Sequence, residues 1–191
     1  MTIKVLHLID SGGLYGAEMM LLDLVEEQVK SGIKPLILSV GTHEDEKKPI
    51  ELAAEKRSLP IKAYRMKAGF NLMSGIGVLR FAQKKKFQIL HSHGYKFNIL
   101  LGIIPRFMRK IPIITTVHGY VHAAYFSKMG MYQYLDRFSL QWLDFVVFVS
   151  VLTEQKIKIK FPFILIKDLD DIHKDLPSIY TKEWINKKDN Y

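Results

Sequence analysis

The 191-residue chain is 48% apolar and 25% charged, carries 28 Lys and Arg against 19 Asp and Glu, and has no cysteine. One compact domain of this size buries roughly 70% of the surface its unfolded chain exposes, and two ordinary domains would be cramped. The missing cysteines exclude a disulfide scaffold, a Cys-ligated zinc site and thiol chemistry, and the longest apolar runs, residues 99–105 and 145–149, fall far short of the ~20 residues needed to cross a bilayer.

Residues 3–9, Ile-Lys-Val-Leu-His-Leu-Ile, run into Asp10-Ser11-Gly12-Gly13, which predicts a buried strand ending in a turn. No export signal precedes it, so a cytoplasmic location is expected. A helix follows: Ala17, Met20, Leu21, Leu24, Val25 and Gln28-Val29 recur at helical spacing, and Ser31-Gly32 closes the pattern. Residues 35–40 predict a second strand, Pro49 opens a helix through about Arg57, and residues 61–66 make a third strand. Residues 72–85 read as a helix with Ile76, Leu79 and Phe81 inward, weakened by Gly75 and Gly77. A fourth strand at 88–91 leads into a helix over 97–109, and residues 112–117 have the low polarity of a strand buried on both faces. A helix over 132–142, a sixth strand at 145–149 and a short helix at 153–160 follow, with 161–166 a candidate seventh strand.

This alternation predicts an α/β fold: an open, mostly parallel, doubly wound Rossmann-like sheet of about six to seven strands with helices on both faces. Residues 1–160 are expected to form that domain and residues 161–191 a divergent, loosely attached tail. Ligands of such a sheet gather at the carboxyl ends of its strands.

The charge is uneven. Residues 1–55 hold five basic and ten acidic side chains, whereas Lys56 to Leu135 hold fourteen Lys or Arg and no Asp or Glu. Three readings stay open: a solvated face balanced by the acidic first third; docking on anionic lipid through Lys84-Lys85-Lys86 and Arg106, Arg109 and Lys110; and nucleic acid, for which no accompanying signature exists.

Three motifs fall at strand ends. Asp10 to Glu18 is a glycine-rich turn into a helix, whose N–H groups and dipole suit a phosphate. It departs from a dinucleotide fingerprint at Ser11 and lacks the Lys-Ser/Thr of a Walker loop, and a turn that merely needs positive φ is the alternative. His91-Ser92-His93-Gly94-Tyr95 and His118-Gly119-Tyr120-Val121-His122 bring four histidines to neighbouring strand ends. They could ligate zinc as in a hydrolase, yet no carboxylate accompanies them; local packing is the alternative for each.

Together, Val5-Leu6-His7-Leu8-Ile9, Gly12-Gly13-x-x-Gly16-Ala17-Glu18, Ile89 to Gly94, Thr115-Thr116-Val117-His118-Gly119 and Phe148-Val149-Ser150 resemble the amino-terminal domain of family 4 glycosyltransferases, retaining enzymes of GT-B architecture. The resemblance implies a nucleotide-sugar-dependent transferase with a cleft between two Rossmann-like lobes, working without a metal, in cell-envelope or exopolysaccharide synthesis. It implies that Gly12, Gly13 and Gly16 meet the donor diphosphate, that His118 lies near the reacting carbon, and that His93, Tyr95 and Ser150 line the acceptor side. Partners implied are a nucleoside-diphosphate sugar, a glycan or lipid-linked acceptor, an anionic membrane surface and a second lobe or chain that holds the donor. The Glu-x7-Glu motif of the second lobe is absent from its place; Glu18 and Glu26 match its spacing on the wrong helix. An inactive truncated remnant or binding module is the alternative expectation.

Overall fold

The computed structural model describes residues 2–67, 69, 71–118 and 127–149. Strands β1 (Lys4–Ile9), β2 (Lys34–Thr42), β3 (Ile61–Met66), β4 (Ile89–Ser92), β5 (Ile113–Val117) and β6 (Phe145–Phe148) alternate with helices. These are α1 (Gly16–Lys30), α2 (Pro49–Lys56), α3 (Leu72–Lys84), α4 (Tyr95–Gly102), α5 (Arg106–Arg109) and α6 (Lys128–Ser139). The strands form one sheet in the order β3-β2-β1-β4-β5-β6, and every adjacent pair is parallel. This is the doubly wound Rossmann-like arrangement, whose strand order reverses between β1 and β4.

Side chains alternate along each strand, so the sheet has two faces. Leu6, Leu8, Leu38, Val40, Leu90 and Ile113 pack on one face against Val78, Leu79 and Ala82 of α3 and Phe97, Leu100 and Leu101 of α4. On the other, Ile9 and Ile37 meet Leu21, Leu22 and Val25 of α1 and Ile50 and Ala54 of α2. Each such fully buried aliphatic side chain contributes about 1.5–3 kcal/mol relative to exposure.

Glycine at 75 serves close packing: a Cβ there would lie 3.2 Å from the Leu100 Cβ, so its cost in helix propensity allows α3 to lie against α4. The single helix predicted over 97–109 is two, because Pro105 cannot continue α4 and instead caps α5. The helix predicted from 132 starts earlier, at Lys128, since the Ser127 hydroxyl accepts the Gly130 N–H and caps it. It ends in a short 3-10 turn, Leu140–Trp142. The short helix expected at 153–160, the candidate seventh strand and the tail lie outside the described residues.

The charge is partly balanced in space. Arg57, Arg65 and Lys96 pair with Asp23, Glu51 and Asp10 of the acidic first third, and Arg106 and Arg109 both reach Asp144. Lys84, Lys85, Lys86 and Lys110 make no ion pair among the described residues. The Gln83 amide donates to the Arg109 carbonyl, which brings Lys84 to Lys86 beside α5, where Phe107 is 78% exposed and Met108 58%. No described helix is long and apolar enough to cross a membrane.

Candidate functional site

Beyond Ile9 the chain turns through residues 10–15 into α1, at the carboxyl edge where the strand order reverses. Gly32 and Gly69 are the described glycines with a left-handed φ; Gly12, Gly13 and Gly16 are not among them. None of these three positions therefore needs glycine for a left-handed turn. A Cβ at Gly13 would come within 2.3 Å of the Tyr15 ring, while at Gly12 or Gly16 it would meet nothing within 4 Å. The Ser11 hydroxyl braces the turn, donating to the Gly13 carbonyl (2.6 Å) and accepting its N–H (3.2 Å). Glu18 accepts the Tyr15 N–H at 2.9 Å, so a carboxylate already faces the positive end of the α1 dipole. Asp10 collects Lys96 at 2.6 Å and Lys48 at 3.2 Å beside the turn. A shallow recess lined by Leu8, Asp10, Gly94, Tyr95, Lys96 and Phe97 opens next to this cluster.

Register builds the second part of the site. His7 sits opposite His91 in the β1–β4 ladder, and the His93 N–H donates to the Leu8 carbonyl just beyond it. By alternation His7, His91, His93, Thr116 and His118 share the face that α1 covers. The rings form a contiguous group: centroids are 4.2 Å apart for His91 and His93, 5.1 Å for His7 and His91, and 6.0 Å for His93 and His118. His7 Nε2 lies 2.8 Å from Gln28 Oε1 on α1, and His7 Nδ1 lies 3.0 Å from His93 Nε2. His91 Nε2 is 2.8 Å from the Thr116 hydroxyl. His93 Nδ1 and His118 Nε2 are buried without a hydrogen-bond partner among the described residues.

Burial makes these imidazoles neutral. It lowers His7 to about 4 against the smaller opposing effect of its Gln28 hydrogen bond. Burial holds both His91 and His93 well below the usual histidine range, helped for His91 by charge on His7 and His118 and for His93 by charge on His91, His7 and His118. His118 is lowered by burial too, with the Glu18 carboxylate pulling the other way. The nitrogens of His7, His91 and His93 lie within 4.8 Å of one another, close enough for a metal, but both His7 nitrogens and His93 Nε2 are engaged in hydrogen bonds and no carboxylate belongs to the group. This trio is not the predicted set of His91, His93, His118 and His122.

Of the predicted site residues, Gly12, Gly13 and Gly16 border the turn, and His93 and His118 adjoin each other. Tyr95 opens α4, half-exposed, with its ring stacked on Tyr132 at 5.7 Å. Ser150 and His122 lie outside the described residues. The motif reading does not single out His7 and Gln28, although both carry a signal: a polar residue where the pattern calls for core. His7 interrupts an apolar strand, and Gln28 extends the Leu21, Leu24 and Val25 face of α1.

Known structures share this architecture. The Anabaena protein HepE in complex with UDP superposes with a TM-score of 0.63 at 16% identity, over 83% of this chain and 40% of that one. WaaB, a lipopolysaccharide outer core galactosyltransferase in its apo form, gives 0.59 at 9% identity, over 83% and 43%. The UDP-GlcNAc 2-epimerase of Neisseria meningitidis bound to UDP-GlcNAc gives 0.59 at 14% identity, over 97% and 53%. The chain thus spans about two-fifths to one-half of these proteins. No curated protein sequence matches it. The sequence profile of Glycosyltransferase Family 4 matches residues 15–163, and with the glycine turn, the strand-end histidines and the parallel sheet already in place, the chain belongs to that family.

Proposed function

We propose that residues 1–160 are the acceptor-binding lobe of a retaining glycosyltransferase that uses a nucleoside-diphosphate sugar in cell-envelope or exopolysaccharide synthesis. The observation that carries this reading is the glycine turn, open at Gly12 and Gly16, beside the buried His93 Nδ1 and His118 Nε2, which have no hydrogen-bond partner among the described residues, at the sheet's switch point. The donor diphosphate lies against Gly12, Gly13 and Gly16, where fixed N–H dipoles stabilise the charge that builds as the nucleotide departs. Gly13 becomes available once the exposed Tyr15 ring swings aside. His118, neutral, faces the donor sugar near its reacting carbon as a hydrogen-bonding group; His93 and Tyr95 meet the acceptor, with Ser150 at the cleft floor. A second lobe, in the same polypeptide or another, holds the nucleotide. No metal takes part in this reading: charge stabilisation comes from the N–H groups, and His7 and His93 bond each other.

The lobe acts in the cytoplasm against the inner membrane face. Support comes from Phe107 and Met108, exposed on α5 next to Lys110 in the chain, with the carboxyl end of α3 and its Lys84 to Lys86 tied to α5 through the Gln83–Arg109 bond, a combination of apolar and basic groups suited to anionic lipid. The experiment for the site is amide NMR of the 191-residue chain titrated with UDP. Shifts at Gly12, Gly13 and Gly16 are expected; shifts confined to the amino ends of the strands overturn the assignment.

A further inference from the structure

Gln28 lies outside the family motifs and His7, though inside the first of them, has no role implied by the resemblance, yet their hydrogen bonds determine where protons sit in the site. Gln28 presents its carbonyl oxygen to His7 Nε2, and an oxygen of an amide accepts only, so Nε2 carries the proton. A neutral imidazole has one N–H, which leaves His7 Nδ1 bare and able only to accept. Its partner at 3.0 Å, His93 Nε2, is then the donor, and His93 Nδ1 is left bare in turn. The chain Gln28, His7, His93 fixes one tautomer from the helix inwards. The two nitrogens of an imidazole diverge, so His93 Nδ1 turns away from His7 and β1. His118 lies at the end of β5, on the other side of β4.

His93 is 6% exposed, and its Nδ1 has no partner among the described residues; nor has His118 Nε2. Each such buried group costs about 1–3 kcal/mol unless something bonds it. An oxygen hydrogen-bonded to an imidazole nitrogen sits about 4 Å from the ring centre. Two rings whose centres are 6.0 Å apart subtend about 100° at an oxygen that one nitrogen of each faces, near the tetrahedral angle of a hydroxyl. A hydroxyl gives its proton to one ring and accepts from the other.

We propose that Gln28 and His7 are positioning residues that hold His93 in its Nε2–H form, so that His93 Nδ1 and His118 Nε2 together bind one sugar hydroxyl. The proposal rests on the glycosyltransferase reading for the nature of that hydroxyl. Gln28 acts through His7 and touches no substrate; its contribution is the direction of a hydrogen bond rather than a contact.

The test is long-range proton–nitrogen NMR of the whole chain labelled at histidine nitrogen, which reads the tautomer without turnover. His93 is expected to show a protonated Nε2 and a bare Nδ1. Gln28→Leu and His7→Phe are expected to mix the two tautomers, while Thr116→Val, which removes a hydroxyl bonded to His91 Nε2 and outside the Gln28, His7, His93 chain, leaves His93 as it was. Glucose titrated to its solubility limit is expected to shift His93 Nδ1 in the native chain and not in Gln28→Leu. A proton on His93 Nδ1 in the native chain, an unchanged tautomer in both Gln28→Leu and His7→Phe, or an Nδ1 signal indifferent to glucose overturns the proposal. Should Gln28→Leu fail to fold, the native spectrum and His7→Phe decide. A chain that transfers no sugar even with a donor-binding lobe supplied, yet shows the Nε2–H form and the glucose response, loses the transferase reading and keeps the hydroxyl site.

Discussion

Gly16→Ala separates a phosphate cradle from a tight turn, because the two assign opposite consequences to one methyl group. Gly16 is the first residue of α1, its φ lies outside the left-handed region, and a Cβ there meets nothing within 4 Å. Alanine at a compatible position restricts the unfolded chain and stabilises the fold by about 0.4–1 kcal/mol. For a domain of this size that raises Tm by about 1–4 °C. The same methyl occupies the space a phosphate needs to reach the N–H groups at the start of α1. Losing one hydrogen bond to a charged group costs about 1.5–3 kcal/mol, which weakens binding about 10- to 100-fold. Calorimetry of the variant, with UDP titrated into native and variant chains, reads both quantities. Higher Tm with weaker UDP binding is expected; equal affinity shows that phosphate does not approach Gly16, and a lower Tm shows that the space is not open.

The remaining predictions concern the histidines, the buried ion pair and the membrane face. The four imidazoles are neutral when folded and ionise freely when unfolded, so the unfolded state binds more protons once pH falls below about 6.5. Stability is therefore full above that pH and drains as pH drops; His7, at about 4 in the fold, accounts for about 3 kcal/mol of the loss across that window. Urea midpoints are expected to be flat from pH 8 to about 7 and to fall from about pH 6.5; a midpoint holding constant down to about pH 5 contradicts a neutral cluster. Asp144→Ala leaves the fully buried Arg109 guanidinium, which Asp144 meets at 2.6 Å, with backbone carbonyls but no carboxylate to balance its charge, and also removes the acceptor of the Ile113 N–H. A loss of about 3–5 kcal/mol in urea unfolding is expected, and a loss below about 1 kcal/mol refutes that role. Flotation on anionic vesicles should be strong at low salt and lost at high salt or in Phe107→Ser; binding indifferent to ionic strength refutes the lipid reading.

The sequence made the sheet legible because short apolar runs bounded by turn residues mark the central strands, and each of the six described strands overlaps its predicted segment; β3, at the sheet edge with Lys62 and Ala63 exposed, has the weakest such pattern. Helix ends were harder to read. Proline at 105 divides a continuous apolar pattern, and Ser127 starts α6 ahead of its first apolar repeat, since a cap is set by one hydroxyl rather than by periodicity. The site was legible where chemistry follows chain order, in the glycine turn and the strand-end histidines. The Gln28, His7, His93 chain was not, because it depends on which residues the β1–β4 register sets opposite each other and on the face of α1 that covers them. Charge was misleading in part: Arg57, Arg65 and Lys96 belong to a basic stretch in the sequence but to ion pairs in space.

The central claim is that these residues provide one wall of a two-walled cleft, and catalysis needs both to align the reactants and exclude water. The direct measurement is transfer of radiolabelled sugar from UDP, GDP and ADP donors to membrane acceptors, by the 191-residue chain alone and with a donor-binding lobe supplied. The account predicts only a trace of transfer by the chain alone and a large increase when the second lobe is added. Turnover by the chain alone at about 10 per second, an ordinary enzymatic rate, contradicts it.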